Sequence, residues 1–125
     1  MISLFLGNTE NVNRNRLGVS TVPSLNAMLT ASQTLQFLDL RSTNLTDSGL
    51  QLLCEGLVCC PSLFHLNLAK NDLTQTGIEH FAPIIGRTAL IELDLSLNPL
   101  GNGGVRCLGE NLWYKSESPK EKNSS

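Results

Sequence analysis

The spacing of the leucines constrains this chain more than any other feature. There are 24 leucines among 125 residues, and many of them fall into three segments that superimpose. The first is Leu35-Gln-Phe-Leu38-Asp-Leu40-Arg-Ser-Thr43-Asn-Leu45. The second is Leu63-Phe-His-Leu66-Asn-Leu68-Ala-Lys-Asn71-Asp-Leu73, and the third is Leu90-Ile-Glu-Leu93-Asp-Leu95-Ser-Leu-Asn98-Pro-Leu100. Their starts lie 28 and 27 residues apart, and only Thr43 departs from an otherwise shared asparagine position. A fixed period of this length marks a repeat architecture, in which each supersecondary unit buries its apolar side against the next.

The agreement continues beyond the leucine motif. Five residues after its last leucine comes an apolar residue preceded by glycine: Gly49-Leu50, Gly77-Ile78, Gly104-Val105. Apolar positions then recur at helical spacing, as Leu53 and Leu57, Phe81 and Ile85, Leu108 and Leu112. Thr46-Asp47-Ser48 and Thr74-Gln75-Thr76 stand where N-caps belong. A degraded fourth copy lies upstream, with Val22, Leu25 and Leu29 at the helical positions. Val12, Asn15 and Leu17 fit the end of its strand motif. Gly7 and Glu10 occupy leucine positions, so the stretch before Val12 reads as a poor strand, and apolar Met1–Leu6 is left to cover the end of the stack.

Each unit therefore reads as a short strand, a turn and a helix of two to three turns. Alternation in Leu-x-Leu sends two leucines to one side of the strand and their neighbours to the other. A helix returns the chain between strands, so successive strands run parallel. Helices are wider than the roughly 4.8 Å strand spacing, which bends the stack with helices outside. The fold class is α/β: a right-handed βα solenoid with parallel strands on a concave face and helices on the convex one. Where the chain leaves each strand, backbone groups lose their sheet partners and must be satisfied otherwise. An amide side chain has donors and an acceptor for that task, so Thr43, Asn71 and Asn98 form the structural turn ladder. Threonine does less of this work, and Asn44 beside it is placed to compensate.

Composition narrows the function. Hydrophobic residues make up 41%, charged residues 16% and aromatic residues 5%, with a formal charge of −2. Such a chain is globular, and its charge gives no reason to expect nucleic-acid binding. No apolar run is long enough for a bilayer, and Met1–Leu6 lacks the basic flank and cleavage site of a signal peptide. Cys54, Cys59, Cys60 and Cys107 follow no metal or disulfide spacing, and His65 and His80 fit no zinc motif. They read as buried or half-buried free thiols of an intracellular protein. The sequons at Asn44 and Asn123 are then chance matches. No metal and no cofactor is expected. The chain divides into a poorly defined segment 1–11, a repeat domain 12–114 with one degenerate and three good units, and a polar tail 115–125 read as disordered.

The 27–28 residue period and the segment Thr46-Asp-Ser-Gly-Leu-Gln-Leu-Leu-Cys-Glu-Gly-Leu57 resemble the ribonuclease-inhibitor class of leucine-rich repeats. That class includes the repeat domains of NOD-like receptors and Ran GTPase-activating proteins. Cys54 fits its Leu-Cys-Glu-Gly-Leu helix pattern. The resemblance covers about residues 12–112. It implies a horseshoe arc, recognition of a protein partner on the concave face, and a cytoplasmic or nuclear location. With three good units and one poor one, and no clear polar capping unit, the chain reads as a short isoform, a fragment or a small family member. Its last strand would have an open edge unless Trp113 or a partner covers it, which leaves association through open repeat ends as a further mode. The alternative function is a GTPase-activating or regulatory fragment of a larger repeat protein.

The strand positions that point away from the leucines form three columns: Phe37, His65, Glu92; then Asp39, Asn67, Asp94; then Arg41, Ala69, Ser96. Ser42, Lys70 and Leu97 border them. Phe37, Asp39, Arg41, His65, Asn67, Lys70, Glu92, Asp94 and Ser96 make the candidate protein-binding set, with Phe37 the sharpest, because an apolar ring facing water is more informative than a charge. The alternative for each is a merely solvated strand residue. Asp39 and Asp94 would lie about 9–10 Å apart, two strand spacings. An inverting glycosidase could use that separation, yet no cleft or third group accompanies it. The Gly101-Asn-Gly-Gly104 run lacks the Gly-Lys-Ser/Thr ending of a phosphate loop and aligns with the ordinary strand-to-helix turn.

Overall fold

A computed structural model of the chain describes residues 2–5 and 18–116. The elements run β1 (Ile2–Phe5), α1 (Gly18–Ala31), β2 (Leu35–Asp39), α2 (Thr46–Val58), β3 (His65–Asn67), α3 (Gln75–Ile85), β4 (Glu92–Asp94) and α4 (Gly101–Ser116). The four strands form one sheet in the order β1-β2-β3-β4, every neighbouring pair parallel. Each helix packs against the helix of the next unit. This is a βα solenoid built from consecutive crossovers.

The sheet begins earlier than the repeat spacing suggests. Leu4 pairs with Leu38 across 34 residues, whereas Leu38 and Leu66 are 28 apart and Leu66 and Leu93 are 27 apart. The strand thus lies six residues upstream of the place the period assigns to it, and Ile2–Phe5 covers the end of the stack by adding a strand to it. A bulge between Ile2 and Ser3 adjusts the register. Val12, Asn15 and Leu17, with Gly7 and Glu10, lie outside the described residues, as does the polar tail beyond 116. Helix α4 itself runs through Lys115 and Ser116.

One continuous apolar core fills the wedge between sheet and helices. From the strands and turns come Leu38, Leu40, Leu45, Leu63, Leu66, Leu68 and Leu73, each at most 2% exposed. From the helices come Val22, Leu29, Leu50, Leu53, Leu57, Ile78, Phe81 and Ile85, each at most 1% exposed. Burying one such side chain is worth about 1.5–3 kcal/mol, and a lone strand–helix unit would leave the sides that its neighbours cover open to water. Val105 departs from the helical pattern: it is 59% exposed while Leu108 is buried, because α4 packs against α3 alone among the described helices.

The helix starts differ from unit to unit. Thr74 caps α3, its hydroxyl accepting from the Thr76 N–H at 3.3 Å. Thr46 is not the cap of α2: it is the first helical residue and its hydroxyl donates to the Leu45 carbonyl. Asp47 reaches instead to the next unit, accepting from the Thr74 N–H at 2.8 Å and from the Thr74 hydroxyl. A carboxylate beside a helix N-terminus is favourably placed. Gly77 makes this approach possible, since a Cβ there would collide with the Asp47 carboxylate. The strand-to-helix turn before α4 places Gly101 at φ +71°, a conformation glycine takes without penalty. Thr46, at the equivalent position two units earlier, holds φ 62° with a Cβ.

Candidate functional site

The turns that end the strands fix everything on the sheet face. Asn71 is 1% exposed. Its Oδ1 accepts from the Thr43 and Leu45 N–H groups, both at 3.0 Å, and its Nδ2 donates to the Leu40, Leu68 and Ala69 carbonyls. Asn98 repeats the pattern one unit on, accepting from the Asn71 and Leu73 N–H groups and donating to the Leu68, Leu95 and Ser96 carbonyls. Thr43 contributes less, with its hydroxyl donating to the Leu40 carbonyl at 2.7 Å. Asn44 is exposed and holds φ 60°, so its part in the turn is a left-handed backbone rather than an amide rung.

The strand registers bring the outward residues into rows. Phe37, His65 and Glu92 are aligned across β2, β3 and β4, and Asp39, Asn67 and Asp94 form the next row. The second row is committed to the fold. Asp39 Oδ1 accepts from the Arg41 N–H, Asn67 Oδ1 from the Ala69 N–H and Asp94 Oδ1 from the Ser96 N–H, each at 2.9 Å. Each is a local side-chain turn spanning two residues. The residue just beyond it, Ser42, Lys70 or Leu97, takes a left-handed φ of 57°, 57° or 60°. Without such support a non-glycine residue there costs roughly 1–2 kcal/mol.

Burial corrects two expected surface positions. Asp39 is 8% exposed and Ala69 is 2% exposed, so neither belongs to an open contact surface. Asp39 faces β1 in the sheet, with Phe5 as its register partner. The carboxylates of Asp39 and Asp94 each accept a turn N–H with one oxygen. Arg41 is half-buried, and its Nε has no hydrogen-bond partner among the described residues. Lys70, Glu92, Asp94 and Ser96 are exposed, and Asn67 and Phe37 are half-buried. Asp94 is held below the ordinary carboxyl value of 3.8, first by hydrogen bonds from the Ser96 hydroxyl and N–H, with the Arg41 charge adding to them.

The first row does something the sequence does not show. The rings of Phe37 and His65 stack with centroids 5.8 Å apart and planes inclined by 27°. Phe37 is therefore not a bare ring facing water. His65 Nδ1 lies 2.5 Å from Glu92 Oε1, with the two side chains 27% and 74% exposed. A half-open hollow of about 140 Å³ forms beside this row, lined by Phe37, His65, Leu66, Asn67, Glu92 and Asp94.

The remaining candidates resolve as packing. All four cysteines are free thiols: Cys54 and Cys60 are buried, Cys107 is half-buried, and Cys59 is exposed, against expectation. Burial pushes the Cys54 thiol up to about 11, which keeps it protonated and unreactive. Among the described residues no group of His, Cys, Asp and Glu is placed to hold a metal ion, and no helix is long and apolar enough to cross a membrane. Asp47, expected among the caps of α2, serves the start of the next helix instead. Its signal was an acid in the first turn of α2, and its partner lies on α3.

Parallel strands, returning helices and an asparagine turn ladder define a repeat stack, and comparison with known proteins says which. The family described as Leucine Rich repeat matches residues 31–54, 59–82 and 88–109, more than half of the chain. The chain is 37% identical over 107 residues to the ribonuclease inhibitor of Sus scrofa, covering 82% of this chain and 22% of that protein. It is 36% identical over 104 residues to NACHT, LRR and PYD domains-containing protein 12 of Mus musculus, covering 80% of this chain and 10% of that one. It is also 40% identical over 90 residues to NACHT, LRR and PYD domains-containing protein 14 of Homo sapiens, covering 69% and 8%. The chain belongs to the leucine-rich repeat family, with ribonuclease-inhibitor-like units. It spans between about a twelfth and a fifth of the length of these relatives.

Proposed function

We propose that this chain is a non-catalytic interaction module that holds a protein partner against the concave side of its sheet. The observation that carries the reading is the contrast between the two rows on that side. Asp39, Asn67 and Asp94 each give one side-chain oxygen to the chain's own turns. Phe37, His65 and Glu92 face one another instead, and leave a ring stack, a close His65–Glu92 contact and a hollow at the surface. Aromatic and charged groups of this kind form the energetic centre of protein interfaces. The leucine-rich repeat relatives and the four free thiols, which suit a reducing compartment, support placing that interaction in the cytoplasm or nucleus.

The test is affinity purification of the tagged chain from cells, compared with a Phe37→Ala, His65→Ala, Lys70→Ala variant and a helix-face variant, Glu55→Ala with Glu79→Ala. The strand-face variant is expected to lose partners that the helix-face variant keeps. Capture of the same proteins by both would overturn the reading. A second reading is favoured by the edge position of β4, where Leu93 and Leu95 are only partly buried. On that reading the chain associates through an open repeat end, as a regulatory piece of, or an addition to, a longer repeat protein. Size-exclusion chromatography across a concentration series separates the two, since a monomer throughout contradicts self-association through that edge.

A further inference from the structure

The hollow beside the Phe37–His65–Glu92 row has a chemistry of its own. Glu92 and Asp94 are two residues apart on β4, so both side chains leave the same face of the sheet, roughly 7 Å from each other along the strand. Each carboxylate is half used. Glu92 Oε1 is taken by His65, and Asp94 Oδ1 by the Ser96 N–H and hydroxyl. The second oxygens, Glu92 Oε2 and Asp94 Oδ2, have no hydrogen-bond partner among the described residues. The same hollow is lined by the stacked rings of Phe37 and His65 and by Leu66 and Asn67.

Resting on the reading of the sheet as the contact surface, we propose that this hollow seats a single basic side chain, arginine or lysine, presented by the partner. About 140 Å³ suits the head of one side chain and not a length of peptide. Two carboxylates exclude an acidic group by repulsion. An apolar group would cover them without replacing their water, which is unfavourable. A cation answers the charge of both carboxylates at once, and a guanidinium can bond two carboxylate oxygens with its planar fork. The other titratable or charged groups around the seat are His65, which faces Glu92, and Arg41, whose charge acts on Asp94. The hydrogen bonds from Ser96 hold the Asp94 carboxyl below its ordinary value of 3.8.

Amide-detected NMR titration of the full chain tests this, with acetyl-arginine amide and acetyl-lysine amide as probes and acetyl-leucine amide and acetyl-glutamate amide as controls. The basic probes are expected to give saturable shifts at His65, Asn67 and Asp94. Glu92→Gln with Asp94→Asn, which keeps the oxygen that receives the Ser96 N–H, is expected to weaken them about tenfold or more. Glu92→Gln alone serves if the double variant loosens the turn, with a smaller loss of affinity expected. Equal binding of acetyl-leucine amide, undiminished binding in both variants, or shifts spread over Asp47, Glu55 and Glu79 would overturn the proposal. The reading beneath it fails separately. A partner that is lost with Phe37→Ala, His65→Ala, Lys70→Ala yet binds the Glu92→Gln, Asp94→Asn chain undiminished removes the basic seat and leaves the contact surface standing.

Discussion

Leu66 and Leu68 in the third strand unit are 2% and 0% exposed, whereas Leu93 and Leu95, in the same places one unit later, are only partly buried. The four side chains share a motif, a strand position and a helix partner of the same kind. What differs is the neighbour: β3 lies between two strands and β4 at the edge. Much of what a repeat leucine contributes therefore belongs to the next unit rather than to its own. The asparagines teach the same lesson. Asn71 links three successive units through its side chain and its own N–H, while Asn98 bonds back toward one side only. Stability in such a stack is a sum over interfaces, and it is concentrated in the middle.

The sharpest way to break this comparison is at the turn ladder. Asn71→Ala leaves the Thr43 and Leu45 N–H groups without their acceptor in a buried place, and leaves the Leu40 carbonyl to the Thr43 hydroxyl. It is expected to lower stability by about 4 kcal/mol, and Asn98→Ala by about 2 kcal/mol, both read from urea denaturation. Equal losses would mean that the ladder acts within units and not between them. The leucines follow: Leu68→Ala is expected to remove about 3 kcal/mol and Leu95→Ala about 1 kcal/mol, measured in the same way.

The glycines extend the contrast to the helix layer. Gly77 lies against the Asp47 carboxylate that caps the next helix, whereas Gly109 on α4 has open space where a Cβ would go. Thermal unfolding is expected to show Gly77→Ala destabilised by about 1–2 kcal/mol and Gly109→Ala stabilised by about 0.5–1 kcal/mol. The smallest effect is acid-dependent. The Asp94 carboxyl is held below 3.8 in the folded chain, so its contribution is complete above that value and is lost as pH falls through the lower folded one. Asp94→Asn is expected to show a shallower decline in stability below about pH 4.

Much of the architecture was legible because leucine has one way to be buried at this spacing. Leu35, Leu63 and Leu90 set the units, and the helical positions from Val22 to Ile85 announced the outer layer. Ile2–Phe5 was not legible as the first strand, since six extra residues displace it from the period and Gly7 and Glu10 occupy the expected leucine sites. Val105 fits the helical pattern yet is exposed, because that pattern records where a side chain points and not whether anything lies there. At the candidate site, the rows of Phe37, His65, Glu92 and Asp39, Asn67, Asp94 followed from strand alternation alone. Their division of labour did not. The acceptor role of Asp39, Asn67 and Asp94 depends on turn geometry, and the Phe37–His65 stack and His65–Glu92 pair arise between strands 27–28 residues apart.

Amide hydrogen exchange at residue resolution measures the stack most directly. The account predicts strong protection at the amides that cross from one unit to the next, Leu40, Ser42, Thr43, Leu45, Leu68, Lys70 and Asn71. It predicts much faster exchange at Leu95 and Leu97 on the open edge of the last strand. Equal protection at Leu68 and Leu95, or fast exchange at Leu40 and Leu68, would contradict a core held together by contacts between neighbouring units.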